Sequence, residues 1–318
     1  MRNKLIVALI ILIVVTISML LIINNKKGKI IDMEENENKV NNTNTTFDFE
    51  NRYVTLNNEI KMPIIGLGTW TFTNEEAEEA VYIAIKNGYR LIDTAQYYGD
   101  EVGVGKGVRK AINEGIVKRE DVFVTSKIYA STDHSKAIEK SLNSLDLDYI
   151  DLLLIHQPGF DDKGLYQTME KYYKEGKLKS IGISNYYSKE AVDEVLDFAE
   201  IVPAVIQNEN HIYYQNKKLQ EYVKQYGIII ESWYPFGGRG HTEEIFNNEI
   251  IIKLAKKYNK TPAQIILRWQ LQAGYIAIPG SKNPEHIKEN ISIFDFELSD
   301  DDMKEIYNIN ENRRYENW

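Results

Sequence analysis

The sequence contains no cysteine, and this excludes several kinds of chemistry before any motif is considered. Disulfide bonds, zinc sites built on thiolates, thiol nucleophiles and lipid attachment through cysteine all require that residue. The absence does not locate the protein, because a chain without cysteine is compatible with either side of a membrane.

A basic surface is also lacking. The 318 residues include 38 Lys and Arg against 47 Asp and Glu, which gives a formal net charge of −9. Nucleic-acid binding needs a basic face that neutralises phosphates, so we expect no nucleic-acid partner. Apolar residues make up 43% of the chain and charged residues 27%, as is typical of a globular protein with a full core.

One long apolar run stands near the N-terminus. Residues 5–23 carry no charge, and a helix of that length spans ~28 Å, close to the hydrocarbon thickness of a bilayer. A signal peptide would have a shorter apolar region followed by a small-residue cleavage site, and residues 24–27 offer no such site. We expect an uncleaved single-pass anchor and a membrane location, with a cleaved signal peptide as the alternative.

The flanks of this run leave its orientation open, because basic residues stand on both sides of it. Residues 30–50 are rich in Asn, Glu and Thr with few aromatics, which indicates a flexible tether. The predicted domains are therefore a transmembrane anchor over residues 1–29, a disordered tether over 30–51 and a globular domain over 52–318.

The globular part begins with a predicted β-hairpin, in which Tyr53–Leu56 and Glu59–Met62 flank Asn57-Asn58, a pair that tolerates positive φ. After it, short apolar runs alternate with amphipathic stretches. The predicted strands are 64–68, 90–93, 122–126, 151–155, 180–183, 204–207, 228–231 and 275–278. The predicted helices are 75–87, 101–114, 135–145, 164–175, 188–199, 216–226, 261–273 and 283–291.

Eight strands that alternate with eight helices predict an α/β fold, namely a closed (β/α)₈ TIM barrel. A doubly wound sheet is the competing fold, but it should carry a Gly-rich nucleotide fingerprint after an early strand. The run Gly103-Val-Gly-Lys-Gly107 has the wrong spacing and falls in a predicted helix. We expect it to mark close helix packing instead.

Polar side chains stand at the ends of successive predicted strands. Asp93 ends the second strand and Tyr98 lies in its loop, while Lys127 and His156 follow the third and fourth. The carboxyl ends of barrel strands converge on one mouth, where such folds carry their chemistry. From residues 91–101 alone, an Asp that caps a turn and a Tyr that packs beside it explain the pattern equally well.

The chemistry of this set is coherent. A phenol has an ordinary pKa near 10, and a nearby ammonium favours its ionised form. We expect Lys127, held in place by Asp93, to lower the pKa of Tyr98 so that the phenol can exchange a proton near neutrality. His156 is expected to hydrogen-bond a substrate oxygen.

From Arg52 to about Arg314, the sequence resembles the aldo-keto reductase family, in its bacterial NADP-dependent form. The family's catalytic tetrad falls on Asp93 in Ile-Asp-Thr-Ala, Tyr98 in Tyr-Gly-Asp-Glu, Lys127 in Thr-Ser-Lys and His156 in Leu-Ile-His-Gln-Pro. The resemblance implies a barrel that binds NADPH across its mouth. It also implies hydride transfer to an aldehyde or ketone carbon, with Tyr98 as the proton donor.

The resemblance also implies cofactor contacts along the second half of the chain. The residues that match them are Ser184, Asn185, Gln207, Trp233, Phe236, Gly237, Ser281, Lys282, His286, Glu289 and Asn290. The pattern departs at Gly280 and His286, which replace a Lys and an Arg that usually grip the 2′-phosphate. Lys282 could partly restore that charge, so we expect NADPH, with NADH possible.

The substrate is expected to be a small carbonyl compound. The residues expected to contact it are Trp70, Tyr129, Gln157 and His156, with Tyr97 as a wall residue. The tail from residue 312 onward is short, which predicts an open and permissive site. No metal is expected, because the histidines lack metal-ligand spacing. The oligomeric state is not indicated, and a monomer is the favoured expectation.

Two other functions fit parts of the sequence. A membrane-anchored, nicotinamide-nucleotide-sensing regulatory subunit, like the channel-associated members of this family, would bind the cofactor with little turnover. A metal-dependent hydrolase on the same barrel would need His and carboxylate ligands at strand ends, where only His156 qualifies. Because NADPH is a cytosolic pool, the reductase interpretation places the catalytic domain on the cytoplasmic side.

Overall fold

A small antiparallel sheet opens the computed structural model, which describes residues 45–316. Its strands are β1 (Phe47–Asp48), β2 (Tyr53–Thr55) and β3 (Lys61–Pro63). Val54 pairs with Met62, and both side chains are fully buried. The predicted hairpin is therefore confirmed as the pair β2–β3.

The hairpin connection differs from the prediction. It is a five-residue loop, 56–60, and the positive φ falls on Glu59 (φ 69°) and not on the asparagine pair. Asn57 and Asn58 instead donate side-chain hydrogen bonds to the carbonyl oxygens of Pro203 (2.9 Å) and Lys179 (3.0 Å). The amides therefore fasten the hairpin to the main body of the fold. Strand β1 also lies within the stretch predicted as a tether, so regular structure is present before residue 52.

The predicted membrane location requires a correction. The apolar run at residues 5–23 lies outside the described residues. Between residues 45 and 316, no helix is both long enough and apolar enough to cross a bilayer. The single-pass location, with a catalytic domain on the cytoplasmic side, rested on composition alone and is withdrawn.

Parallel strands in chain order form the main sheet of the described chain. They are β4 (Gly66–Gly68), β5 (Leu91–Asp93), β6 (Phe123–Ile128), β7 (Ile150–Ile155), β8 (Leu178–Ser184), β9 (Val205–Glu209), β10 (Ile229–Trp233) and β11 (Tyr275–Ala277). A parallel bridge between Ile65 and Ala277 joins the first strand to the last. The sheet is therefore closed, which confirms the (β/α)₈ barrel and excludes the doubly wound sheet.

Helices follow the strands on the outside of the barrel. They are α1 (Asn74–Lys86), α2 (Glu101–Asn113), α3 (His134–Leu145), α4 (Asp162–Lys174), α5 (Lys189–Phe198), α6 (Lys217–Val223), α7 (Thr242–Phe246), α8 (Glu249–Tyr258), α9 (Pro262–Gln272), α10 (Pro284–Ile291) and α11 (Asp300–Tyr307). Strands β6 and β7 are buried along their whole length, so both faces of the sheet are covered there.

Helices α7, α8 and α11 were not predicted. The signal for α8 was present in the sequence: Ile251, Leu254 and Ala255 follow the helical spacing, and all three are buried. Asn248 caps this helix, accepting a hydrogen bond from the N–H of Ile250 at 3.0 Å. These helices pack around the fully buried Trp269, which confirms its expected place in the core.

The glycine run of α2 confirms the expected close packing. A Cβ atom on Gly105 would lie 1.9 Å from the carbonyl oxygen of Leu145 at the end of α3. A Cβ atom on Gly103 would lie 2.0 Å from the carbonyl oxygen of Asn74 at the start of α1. The neighbouring helices therefore approach the α2 backbone so closely that no side chain fits between them.

We predict that Gly105→Ala lowers the free energy of unfolding, although alanine is the better helix former. The gain in helix propensity is about 1 kcal/mol, and overpacking against a fixed backbone carbonyl costs about 1–3 kcal/mol or more. Urea unfolding measures the difference. Lys106→Ala, at an exposed position of the same helix, is the control and should cost less than about 0.5 kcal/mol. A stabilised Gly105→Ala protein would contradict the packing described here.

Candidate active site

The barrel brings the four predicted catalytic side chains together at one mouth. Asp93 is the last residue of β5, Lys127 the last but one of β6, and His156 directly follows β7. Tyr98 ends a short 3₁₀ turn, Gln96–Tyr98, which Gly99 terminates in the left-handed region at φ 75°. Asp93, Tyr98 and His156 line a cavity of about 350 Å³.

Lys127 is the centre of this group. Its ammonium donates to Asp93 Oδ1 at 2.6 Å, to the carbonyl oxygen of Thr94 at 2.8 Å and to Tyr98 Oη at 3.3 Å. The side chains of Lys127 and Asp93 are only 1% and 3% exposed. A buried lysine keeps its charge only when hydrogen-bond acceptors surround its ammonium, and these three oxygens are such acceptors.

Asp93 is held at both of its carboxylate oxygens. Oδ1 takes the Lys127 ammonium, and Oδ2 accepts a hydrogen bond from Gln207 Nε2 at 2.7 Å. Burial raises the pKa of Asp93 above its ordinary value, while Lys127 and Gln207 oppose that shift. Burial alone would lower the pKa of Lys127, but Asp93 and Tyr98 outweigh it and raise the value. The two groups therefore form a buried ion pair.

Lys127 lowers the pKa of Tyr98, as predicted, but the predicted net shift of that pKa toward neutrality is wrong. Burial raises the pKa of Tyr98 to about 12, and the ammonium of Lys127 offsets only part of that rise. The sequence shows which charges are near the phenol, but not how far the phenol is removed from water. Tyr98 therefore keeps its proton throughout the neutral range.

His156 is an uncharged imidazole. Burial, reinforced by the charge of Lys127, lowers its pKa to about 3. Its ring stacks on Tyr129, with centroids 4.5 Å apart and planes 16° from parallel. The buried Nδ1 atom has no hydrogen-bond partner among residues 45–316. A neutral ring in this position has one N–H to donate and one nitrogen to accept.

Aromatic rings form one wall of the cavity. Trp70 lies 4.7 Å from the ring of Tyr98, and Tyr97 packs edge-on against Tyr129 at 5.6 Å. Gln157 adds an amide to the same wall. The structure thus places the predicted substrate residues around the cavity, and their contacts with a substrate stay predictions.

The cavity lining also contains residues predicted to bind the nicotinamide end of a cofactor. Those that line the cavity are Ser184, Asn185, Gln207, Trp233 and Phe236. Gly237 does not line it, but the next residue, Gly238, does. The amide of Asn185 is fixed, since it donates to the carbonyl oxygen of His156 at 2.8 Å and accepts from Tyr187 Oη at 2.9 Å. A hydroxyl, two amides and an indole beside an open cavity fit a planar carboxamide-bearing ring.

The residues predicted for the adenosine end are not among those that line this cavity. Ser281 and Lys282 precede α10, and His286, Glu289 and Asn290 lie on it. The ammonium of Lys282 pairs with Glu76 at 2.5 Å, and Glu289 accepts from Thr261 Oγ1 at 2.7 Å. The charge of Lys282, expected to replace a missing cation, is therefore partly neutralised.

Comparison with known proteins decides the family. The sequence profile of the Aldo/keto reductase family matches residues 64–311. This chain belongs to the aldo/keto reductase family. It is similar to the glyoxal reductase of Bacillus subtilis (strain 168), with 44% identity over 82% of this chain and 94% of that protein. It is also similar to the NAD(P)H-dependent D-xylose reductase I,II of Candida tropicalis, with 39% identity over 82% and 93%.

The structural comparison agrees. An aldo-keto reductase enzyme from a Medee basin deep-sea metagenome library, MGS-M4, superposes with a TM-score of 0.78 at 38% identity, over 83% of this chain and 97% of that one. The predicted enzyme class, an NAD(P)H-dependent reductase of this family, is confirmed by these relatives. Within residues 45–316, no group of three or more His, Cys, Asp or Glu side chains could hold a metal ion.

Among the buried carboxyl groups of this aldo/keto reductase that were not predicted as site residues, Glu231 and Glu209 have roles that the structure shows. Glu231 on β10 lies next to the ion pair through Gln207, whose Nε2 donates to it at 2.7 Å. Its signal, a carboxyl group at the end of an apolar run, is the one that identified Asp93. Glu209 ends β9 and holds the C-terminal tail, a contact between distant segments that local patterns do not reveal.

The tail is attached to Glu209 through its backbone. Glu209 is fully buried, and its carboxylate accepts the N–H of Tyr315 at 2.6 Å and the N–H of Glu316 at 3.1 Å. The ring of Tyr315 stacks on His211, with centroids 4.5 Å apart, and on His241, with centroids 3.7 Å apart. The short tail is therefore fastened to the loop after β10, next to the cavity.

We predict that Glu209→Gln lowers the free energy of unfolding by about 1–3 kcal/mol at neutral pH. An amide of the same shape offers one acceptor where the carboxylate offered two, so a buried donor loses its partner. Hydrogen bonds from His211 and the tail outweigh burial and lower the pKa of Glu209. The difference between variant and wild type should therefore shrink as the pH falls and the carboxylate takes up a proton.

Urea unfolding at several pH values measures this difference. Glu311→Gln is the control, because its carboxylate pairs with Arg313 at an exposed position, where an ion pair contributes about 0–1 kcal/mol. Equal stability of the two variants would contradict the anchoring role of Glu209.

Proposed function

We propose that this aldo/keto reductase reduces the carbonyl group of a small aldehyde or ketone to an alcohol, with NADPH as the reductant. The observation that carries the proposal is the contact between Tyr98 Oη and Lys127 Nζ, 3.3 Å apart, beside a cavity with one aromatic wall and one amide-bearing wall. When bound, the nicotinamide supplies a hydride to the carbonyl carbon. The chain must then supply a proton to the carbonyl oxygen.

Tyr98 is the proposed proton donor. Because its pKa is about 12, the phenol is protonated at neutral pH and available for donation. The alkoxide that develops on a reduced carbonyl is far more basic than a phenolate, so the transfer runs downhill. Lys127 stabilises the phenolate left behind, and Asp93 keeps the ammonium aimed at it.

His156 is proposed to orient the carbonyl oxygen. The protonated form of His156 has a pKa near 3, so at neutral pH the ring carries no second proton to release. The neutral imidazole can therefore donate a hydrogen bond without competing with Tyr98 as an acid. The stack on Tyr129 fixes the plane of the ring. The reacting oxygen would thus meet two donors, one of which can release its proton.

Ser184, Asn185 and Gln207 are proposed to bind the carboxamide of the nicotinamide, with Trp233 against the ring. The side-chain amide of Asn185 is already fixed by the chain, which reduces the ordering cost on binding. Relatives named for glyoxal and D-xylose reduction support a small, polar aldehyde as substrate. The aromatic wall with Gln157 at its edge suits such a molecule.

A nucleotide-sensing regulatory subunit is not supported, because the relatives reported above are named as reductases. Loss of cofactor absorbance on mixing with glyoxal distinguishes the two functions directly. A protein that binds NADPH but turns over no aldehyde would overturn the proposed reductase.

We predict that Tyr98→Phe lowers kcat by about 10²–10⁴-fold, the usual contribution of a general acid, while the Kd for NADPH changes less than about twofold. The variant loses the proton donor and keeps the ring. Absorbance assays and fluorescence titration give the two quantities. Tyr97→Phe is the matched control at the neighbouring exposed phenol and should keep kcat within about threefold.

We also predict that NADPH is favoured over NADH only weakly. His286 is exposed on α10, and Lys282 is paired with Glu76, so the cations available for a 2′-phosphate are few in this segment. His286→Arg should raise the ratio of kcat/KM for NADPH to that for NADH by about tenfold. Lys288→Arg on the same helix, with its charge unchanged, should leave the ratio as in the wild type. An unaltered ratio in His286→Arg would contradict this account.

A further inference from the structure

A second carboxyl group lies inside the barrel beside the ion pair. Glu231 on β10 is fully buried, and its Oε2 accepts a hydrogen bond from Gln207 Nε2 at 2.7 Å. Its other oxygen, Oε1, has no hydrogen-bond partner among residues 45–316. A buried carboxyl group is costly, and the reaction proposed above gives this one no task.

The amide nitrogen of Gln207 lies between two carboxyl groups. It is 2.7 Å from Asp93 Oδ2 and 2.7 Å from Glu231 Oε2. A side-chain amide carries two N–H hydrogens, so both are used. Rotating the amide by half a turn would place its carbonyl oxygen against the Asp93 carboxylate, which has no hydrogen to donate, and would lose both N–H contacts. The orientation of Gln207 is therefore fixed.

This orientation determines what Gln207 presents to the cavity it lines. With Nε2 occupied by Asp93 and Glu231, the remaining polar atom is the acceptor Oε1. Ser184, the residue paired with Gln207 on β8, contributes a hydroxyl that can donate. A carboxamide has one NH₂ and one carbonyl oxygen, so a wall with a fixed acceptor and a donor distinguishes its two ends.

We propose that Glu231 is a positioning residue: with Asp93, it holds the Gln207 amide so that its oxygen faces the carboxamide NH₂ of the nicotinamide. The inference rests on the proposed function, because it assumes that the cavity binds this ring. If Asp93 were the only acceptor, one N–H of the Gln207 amide would be unpaired, and rotation of that amide would cost less. Glu231 supplies the second contact.

The protonation state of Glu231 fits this role. The groups that face it from other strands are Asp93 on β5, Lys127 on β6, Gln207 on β9 and, as its paired residue on β11, Ile276. Burial and the charge of Asp93 raise the pKa of Glu231 to about 8, with Gln207 and Lys127 opposing. At neutral pH the site therefore contains one carboxylate, one ammonium and one neutral carboxyl group, which can still accept from Gln207.

The test uses two substitutions of Glu231 in the full chain. Glu231→Leu keeps the approximate volume and removes the acceptor, so the Kd for NADPH should rise about tenfold. The KM for NADPH should rise with it, whereas kcat at saturating NADPH should stay within about threefold, because Tyr98, Lys127 and Asp93 remain. Glu231→Gln keeps an acceptor oxygen and should bind NADPH within about threefold of the wild type.

Quenching of tryptophan fluorescence by NADPH measures the Kd without turnover. Thr125→Val is the matched control, since it alters a buried polar side chain on β6 whose Oγ1 has no partner in the described chain. A wild-type Kd in Glu231→Leu would overturn the proposal, and so would an equal loss in Glu231→Leu and Glu231→Gln. If the leucine variant does not fold, Glu231→Ala replaces it with the same expected outcomes.

The pH profile gives a readout that a purely structural role would not change. Ionisation of Glu231 adds a negative charge that acts on Lys127, so the ammonium should stabilise the Tyr98 phenolate less and kcat should fall above pH about 8. Glu231→Gln cannot ionise and should keep its rate to higher pH. Identical profiles for the variant and the wild type would overturn the assignment of this ionisation to Glu231.

Failure of the proposed function would look different. In that case the wild type and Thr125→Val would reduce no aldehyde with either cofactor, whatever the Glu231 variants do. If the wild type reduces glyoxal and Glu231→Leu binds NADPH equally well, only the role of Glu231 is lost.

Discussion

The buried ion pair of Lys127 and Asp93 is the interaction on which the rest of the site depends. Removing two such charges from water costs several kcal/mol for each ion, and only complete pairing offsets that cost. Lys127 therefore needs the carbonyl oxygen of Thr94 and the phenol of Tyr98 as well, and Asp93 needs Gln207. Movement of β5, β6 or the Tyr98 turn would leave a charge unpaired inside the barrel.

Closure of the barrel brings the side chains of this network together from strands that are far apart in the sheet order. Asp93 is on β5 and Gln207 on β9, four strands away in the sheet order, yet their side chains are 2.7 Å apart. An open sheet would keep these strands well separated, since neighbouring strands are ~4.8 Å apart. The hydrogen bonds from Tyr98 through Lys127, Asp93 and Gln207 to Glu231 thus form one continuous network through the barrel interior. Both proposed tasks of the site, proton donation and ring binding, depend on it.

The sequence predicts the positions of the site residues better than their electrostatics. Asp93, Lys127 and His156 could be placed at strand ends because apolar runs mark the strands, and strand ends in a barrel share one mouth. Glu231 carries the same signal and was overlooked, although nothing in its local pattern differs from that of Asp93. The pKa of Tyr98 could not be predicted, because its direction depends on the balance between burial and the charge of Lys127.

The remaining features depend on contacts between segments that are far apart in the chain. Lys282 looked like a spare cation for a phosphate, yet its partner Glu76 lies 206 residues earlier, at the start of α1. Glu76 also accepts the backbone N–H of Thr73 in the cap of that helix, so its carboxylate serves two purposes. A bound phosphate would have to compete with Glu76 for Lys282 and would lie near its negative charge. Counting cations in a sequence therefore overstates the positive potential at this end of the site. The same error arises wherever a cation pairs with a helix-capping carboxylate that is far away in the chain.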